Sequence, residues 1–222
     1  MEQSTKYAVI FDMDGVLVDS EPYHMEAERK VFKYLGIEVS EKLHHSFVGI
    51  LSRNMWRQII EKFNLDHAPS ELVKLQRRYY EDTLNSIENI EPIEGILELL
   101  KILVQHNFKL AVASSSPYSQ IKYYLDRFGF RQYFTVITSG QDVERGKPDP
   151  EIFVITAEKL GVPKDKCVVI EDSKNGIESA VKAGMKCIGF RNPSSGNQNL
   201  SRANFIIEKF ENDTFRLIQE LF

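Results

Sequence analysis

The chain has 222 residues, 42% of them hydrophobic and 27% charged, with a formal net charge of −4. That length suits one sizeable domain with a smaller appendage, and the composition excludes a disordered or fibrous chain. The acidic balance argues against a nucleic-acid surface, which needs an excess of Lys and Arg, but leaves room for a basic pocket around a single phosphate.

The N-terminal stretch MEQSTKYAVIFDMDG carries only a five-residue apolar run, residues 7–11, which predicts a strand. It lacks the apolar core of a signal peptide, and no later stretch reaches the length of a membrane span. A cytoplasmic protein without a membrane partner is expected, and the composition permits a monomer. From about residue 21 to 90 the pattern is helical only, clearest over 25–35, 52–63 and 70–84, with breaks at Gly36 and at the 64–69 turn. Strand and helix then alternate. A helix over 95–105 repeats Ile96, Leu99, Leu100 and Leu103, and a strand follows at 109–113. The helix over 117–128 opens on Pro117 and stops before Gly129, and the next strand is 134–138. Helices over 149–160 and 173–183 end at Gly161 and Gly184, around a strand at 168–170. Strands at 187–190 and, more weakly, 204–207 complete the series, with 192–199 a plain loop. Cys167 and Cys187 lie in apolar runs and read as buried small hydrophobes, too few for a disulfide framework.

This alternation predicts an α/β, Rossmann-like, doubly wound parallel sheet covered by helices on both faces. The all-helical stretch predicts a small cap domain, residues 19–91, inserted into a core made of 1–18 and 92–222. Ligands of such sheets bind beyond the carboxyl ends of the strands, and four groups of polar residues fall there. Asp12-Met13-Asp14-Gly15 follows the first strand; Gly15 lets the backbone curl so that both carboxylates address one pocket, as a nucleophile paired with a general acid/base requires. An Asp-rich turn would use the same residues. Ser114, Ser115 and Ser116 precede a helix, where hydroxyls and backbone N–H groups cradle phosphate or simply cap the helix. Lys147, between Gly146 and two prolines, is either an ammonium held for phosphate oxygens or an exposed loop lysine. Glu171-Asp172 end another strand; converging acids repel unless a cation separates them, and oxygen-only ligands favour Mg²⁺ over zinc. Helix capping would explain Asp172 alone. Together the four groups supply what in-line phosphoryl transfer needs.

The ordered set resembles the haloacid dehalogenase superfamily, in its branch with an inserted helical cap, similar to β-phosphoglucomutase and sugar-phosphate phosphatases. Residues 12–20, DMDGVLVDS, match the first family motif, Ser114 the second, Lys147 the third and Glu171-Asp172 the fourth, and the likeness runs through the cap. The resemblance implies that Asp12 attacks phosphorus to form an aspartyl-phosphate while its other oxygen holds Mg²⁺. Asp14 protonates the leaving oxygen, then activates the next attacking group, and its backbone carbonyl reaches the metal. Asp172 completes the protein ligands, with Glu171 a ligand or its support, and Ser114 and Lys147 hold the phosphoryl group. His24 stands where the mutase has a histidine, in a pattern that sugar phosphatases share. In the cap, Gly49 to Arg53 replaces a shorter mutase loop that grips a distal phosphate, and Arg77 and Arg78 lie near another mutase cation. The expected activity is Mg²⁺-dependent hydrolysis of a small phosphorylated metabolite, a sugar or polyol phosphate. A β-phosphoglucomutase-type isomerase and a catalytically silent binding or regulatory module are the alternatives.

Overall fold

A computed structural model describes residues 7–87 and 89–222. Residues 1–6, expected in the core, and Glu88, expected in the cap, lie outside the described residues. The apolar runs form strands β1 (Ala8–Phe11), β2 (Lys109–Ser114), β3 (Val136–Ser139), β4 (Cys167–Glu171), β5 (Lys186–Phe190) and β6 (Phe205–Ile207). They make one six-stranded sheet in the order β3-β2-β1-β4-β5-β6, and every neighbouring pair is parallel. β1 is central: Ile10 pairs with Ala111 on one side and Val169 on the other. Chain order reverses between β1 and β4, which opens a crevice at their carboxyl ends.

Buried on both faces, the inner strands are apolar up to their ends, and their two-residue period sorts them between two cores. Val9, Phe11, Val168 and Ile170 pack against α5 (Ile96–Gln105), α6 (Tyr118–Arg127) and α9 (Asn212–Glu220). Ala8, Ile10, Ala111 and Val169 pack against α7 (Glu151–Leu160) and α8 (Lys174–Lys182). Both cysteines are buried and free. The fold is therefore α/β and Rossmann-like. Among the described residues no helix is long and apolar enough to cross a membrane.

Between β1 and α5 come α1 (Glu21–Leu35), α2 (Glu41–His45), α3 (Ser52–Phe63) and α4 (Pro69–Asn85). They bury their own cluster, with Val31, Phe32, Met55, Trp56, Ile59 and Leu72 at its centre. The chain leaves and re-enters the core side by side, because Val18 bridges Pro92 and the Ile93 N–H donates to the Leu17 carbonyl at 3.0 Å.

Three details depart from the periodicity reading. β3 starts later than expected because a 3₁₀ turn over Arg131–Tyr133 delays the strand, and the Phe134 N–H still bonds back to Arg131. The helices α2 and α9 were not marked by periodicity. α2 spans only five residues, too few to display it. α9 shows the apolar residues Phe215, Leu217 and Ile218 of its nine only once its start is known.

Ile10 is fully buried at the centre of the sheet. Ile10→Ala is expected to lower stability by about 2–5 kcal/mol, measured by urea unfolding.

Candidate active site

The sheet still holds Asp12 one residue beyond β1, since its N–H donates to the Ile170 carbonyl at 3.0 Å. The chain then folds back: the Gly15 N–H donates to the Val18 carbonyl at 2.8 Å, and Asp14 bridges Val18. Gly15 has φ of +78°, and a side chain there would also collide with the Asp172 carboxylate. Met13 enters the core, whereas Asp12 and Asp14 both line one cavity.

Lys147 is fully buried and donates from Nζ to Asp12 Oδ1 at 2.8 Å, Glu171 Oε1 at 2.7 Å and the Ala113 carbonyl at 3.2 Å. Three donors thus meet three acceptors. The other Glu171 oxygen, Oε2, accepts from the backbone N–H and hydroxyl of Ser173 at 2.8 and 2.9 Å. Asp172 accepts from the Ser195 hydroxyl through Oδ2, while its buried Oδ1 has no hydrogen-bond partner.

Ligand atoms of Asp12, Glu171 and Asp172 lie within 4.8 Å of one another, all buried. Burial, then the charges of Glu171 and Asp14, raise the Asp12 carboxyl against the opposing pull of Lys147. Burial, followed by the charges of Glu171, Asp12 and Glu21, raises Asp172 well above the ordinary carboxylate range. An all-oxygen set with an orphaned buried carboxylate oxygen and mutually repelling charges fits a hard divalent cation.

The Asp14 side chain faces away from this group. Its Oδ1 accepts from Ser20 at 2.5 Å and contacts His24 Nε2 at 3.2 Å. Its Oδ2 accepts from Ser114 at 3.1 Å and Ser116 at 2.7 Å. Burial works to raise this carboxyl, but the hydrogen bond and charge of His24 and the two serine hydroxyls Ser20 and Ser116 outweigh it and hold it at about 2. Burial likewise opposes the His24 charge, and its bond to Asp14 with the charges of Asp14 and Glu28 overcomes this to raise the imidazole. The two aspartates therefore sit in opposite environments.

The remaining sequence candidates divide between cavity and junction. Ser115 lines the cavity and donates to the Gly49 carbonyl at 2.8 Å, tying sheet to cap. Gly49, with φ of +80°, leaves no room for a side chain beside Ser173. Arg53 donates to the carbonyls of Val143 and Glu144 at 2.7 and 2.8 Å. Arg77 donates to Glu81 at 2.9 Å and Ser119 at 3.1 Å. Both arginines border the cavity while anchored in these contacts.

The cavity, of about 290 Å³, also takes in Glu21, Glu28, His44, Gln76, Tyr80 and Gln120, which motif reading overlooked. A signal existed on α1: Glu21, His24 and Glu28 are spaced i, i+3, i+7 on one helical face. His44, Gln76 and Gln120 come from separate elements that only the packed structure brings together.

Removing the cation that bridges two buried carboxylates leaves both uncompensated. Lys147→Met is expected to cost about 3–5 kcal/mol in thermal or urea unfolding, and adding Glu171→Gln should recover part of that loss in a double-mutant cycle.

Residues 9–190 match the family model described as haloacid dehalogenase-like hydrolase. The chain is 37% identical to a phosphorylated carbohydrates phosphatase of Thermotoga maritima, over 82% of this chain and 83% of that protein. It is 30% identical to a fructose-1-phosphate phosphatase of Escherichia coli, over 84% of this chain and 97% of that protein. Among solved structures, a β-phosphoglucomutase from Clostridium difficile superposes with a TM-score of 0.84 at 29% identity, covering 97% of this chain and 96% of that one. With the family model spanning most of its length and the motif residues gathered at one sheet edge, the chain belongs to the haloacid dehalogenase-like hydrolases.

Proposed function

We propose that the protein is a phosphomonoesterase that hydrolyses a small phosphorylated metabolite, a sugar or polyol phosphate, through an aspartyl-phosphate on Asp12. One observation carries this reading. Two carboxylates of one loop line the same cavity in opposite states, Asp12 against Lys147 at 2.8 Å and Asp14 inside a ring of hydroxyls and His24. The ammonium and the cation that would sit beside Asp12 suit an ionised nucleophile, and the hydroxyls and imidazole around Asp14 suit a group that exchanges protons with the leaving oxygen and water. The phosphatase names of the relatives support the same chemistry.

In the first half-reaction an Asp12 oxygen attacks phosphorus, the ester P–O bond breaks, and Asp14 gives its proton to the leaving oxygen. Asp14 is held ionised in the free cavity, and an arriving phosphate dianion favours its protonation. In the second, Asp14 takes a proton from water, the water oxygen attacks phosphorus, and the bond to Asp12 breaks to release phosphate. Ser114 and Lys147 border the phosphoryl group in both steps. Asp12, Asp172 and the Asp14 backbone carbonyl would hold Mg²⁺, with Glu171 in support, and the bound ion would supply charge neutralisation of the phosphate oxygens. A phosphoglucomutase-type isomerase is the second reading, favoured by the structural likeness to a β-phosphoglucomutase.

With p-nitrophenyl phosphate and MgCl₂, Asp12→Asn is expected to abolish turnover and Asp14→Asn to lower kcat by roughly 10²–10⁴. Wild-type rates in Asp12→Asn would overturn the assignment. Supplied with β-glucose 1-phosphate and trace glucose 1,6-bisphosphate, the enzyme should release free phosphate. Glucose 6-phosphate formation that depends on the bisphosphate would establish the isomerase instead.

Burial raises Asp12, Asp172 and Glu21 above ordinary carboxyl values. The folded, metal-free protein then keeps protons that the unfolded chain loses above about pH 4. Stability in EDTA should fall as pH rises through the raised values. The Tm gain from MgCl₂ should grow between about pH 5 and pH 8, because the cation competes with those protons. A gain independent of pH would place the cation elsewhere.

A further inference from the structure

The wall of the cavity opposite the strand ends is built by the cap, and among its polar groups stands a hydrogen-bond acceptor, Glu28. Glu28 lies one turn beyond His24 on α1 and lines the cavity, with its side chain 12% exposed. Its Oε2 meets His44 Nε2 at 2.6 Å, and its Oε1 accepts from Gln76 Nε2 at 2.8 Å. Gln76 is itself oriented, because its Oε1 accepts from the Trp56 indole N–H at 2.8 Å. Indole can only donate, so the Gln76 oxygen must face Trp56 and its NH₂ must face Glu28. Trp56 is fully buried in the cap cluster and fixes the whole series.

Each Glu28 oxygen has therefore accepted one protein hydrogen bond and retains a lone pair. We propose that Glu28, set by His44 and by the Trp56–Gln76 pair, accepts hydroxyl hydrogens of the leaving group, so that the cavity selects a polyhydroxylated phosphomonoester over one carrying a second phosphate. This rests on the phosphatase reading above and names the part of the substrate that the cap recognises. Three observations converge on it. A hydroxyl is a donor that satisfies the carboxylate, whereas a second phosphate would bring negative charge against it. The arginines at the rim, Arg53 and Arg77, are anchored to the Val143 and Glu144 carbonyls and to Glu81 and Ser119. Finally, Tyr80 and His24, stacked with ring centroids 4.3 Å apart, both line the cavity and add aromatic carbon surface beside its polar groups.

The test compares kcat/KM for a hexitol 6-phosphate with that for p-nitrophenyl phosphate, whose leaving group has no aliphatic hydroxyls. In Glu28→Gln the hexitol to p-nitrophenyl ratio should fall about tenfold, the worth of one hydrogen bond to a charged group, chiefly through KM. The same variant should use glucose 1,6-bisphosphate relatively better than wild type does. Glu28→Asp keeps the charge, withdraws it by one methylene and should lower the same ratio, which covers the case in which the Gln variant folds poorly. A structural role alone would lower both substrates in proportion; an unchanged ratio in both variants overturns the proposal. Failure of the wild-type protein to hydrolyse p-nitrophenyl phosphate or any sugar phosphate would instead remove the phosphatase reading, and this proposal with it.

Discussion

Carboxylates crowded at the carboxyl ends of β1 and β4 set the terms for the rest of this structure. Asp12, Glu171 and Asp172 are buried together where neighbouring parallel strands stop, and each desolvated charge raises the cost of the next. Lys147 is the one cation that reaches two of them among the described residues, and it is fully enclosed between the strand ends and the ring of Phe153 at 5.1 Å. Such a cluster is poor material for stability. In an otherwise well-packed sheet it is a group of acids that could hold a metal ion.

Around that cluster the backbone is shaped by need. The loop after β1 must turn within three residues, bringing two acids to one cavity while sending Met13 inward, and Gly15 is the residue that permits it. The serine-rich end of β2 then serves Asp14 from the other side, Ser114 and Ser116 donating to the same oxygen. A carboxylate surrounded by donors and one surrounded by carboxylates sit a residue apart. The two side chains differ in environment, not in residue type.

The cap completes the enclosure. Several of its hydrogen bonds to the core run through backbone carbonyls: Ser115 to Gly49, Asn175 to Ser46 and Val48, Arg53 to Val143 and Glu144. These contacts fix how the α1 and α4 faces stand over Asp12 and Asp14. The polar series from Trp56 through Gln76 to Glu28 places an acceptor on that ceiling, inside a helical cluster that would be cheaper to build from apolar residues alone.

The sequence by itself determined the α/β class and the strands near the site. Apolar runs buried on both faces leave a local trace, and glycines and prolines punctuate the helices between them. It also marked Asp12, Asp14, Ser114, Lys147, Glu171 and Asp172, each of which a turn, cap or loop could use alone, through their combination after successive strands. That Asp12 and Asp14 line one cavity, with Lys147, Glu171 and Asp172 packed behind Asp12 and Ser114 against Asp14, is a tertiary fact. So are the partners of Lys147, the serines around Asp14, and the anchoring of Arg53 and Arg77, because these contacts join residues dozens of positions apart. Glu28, His44 and Gln76 stayed unread for the same reason. They come from three helices, and a polar residue on a helix shows no sign of its partner until the helices pack.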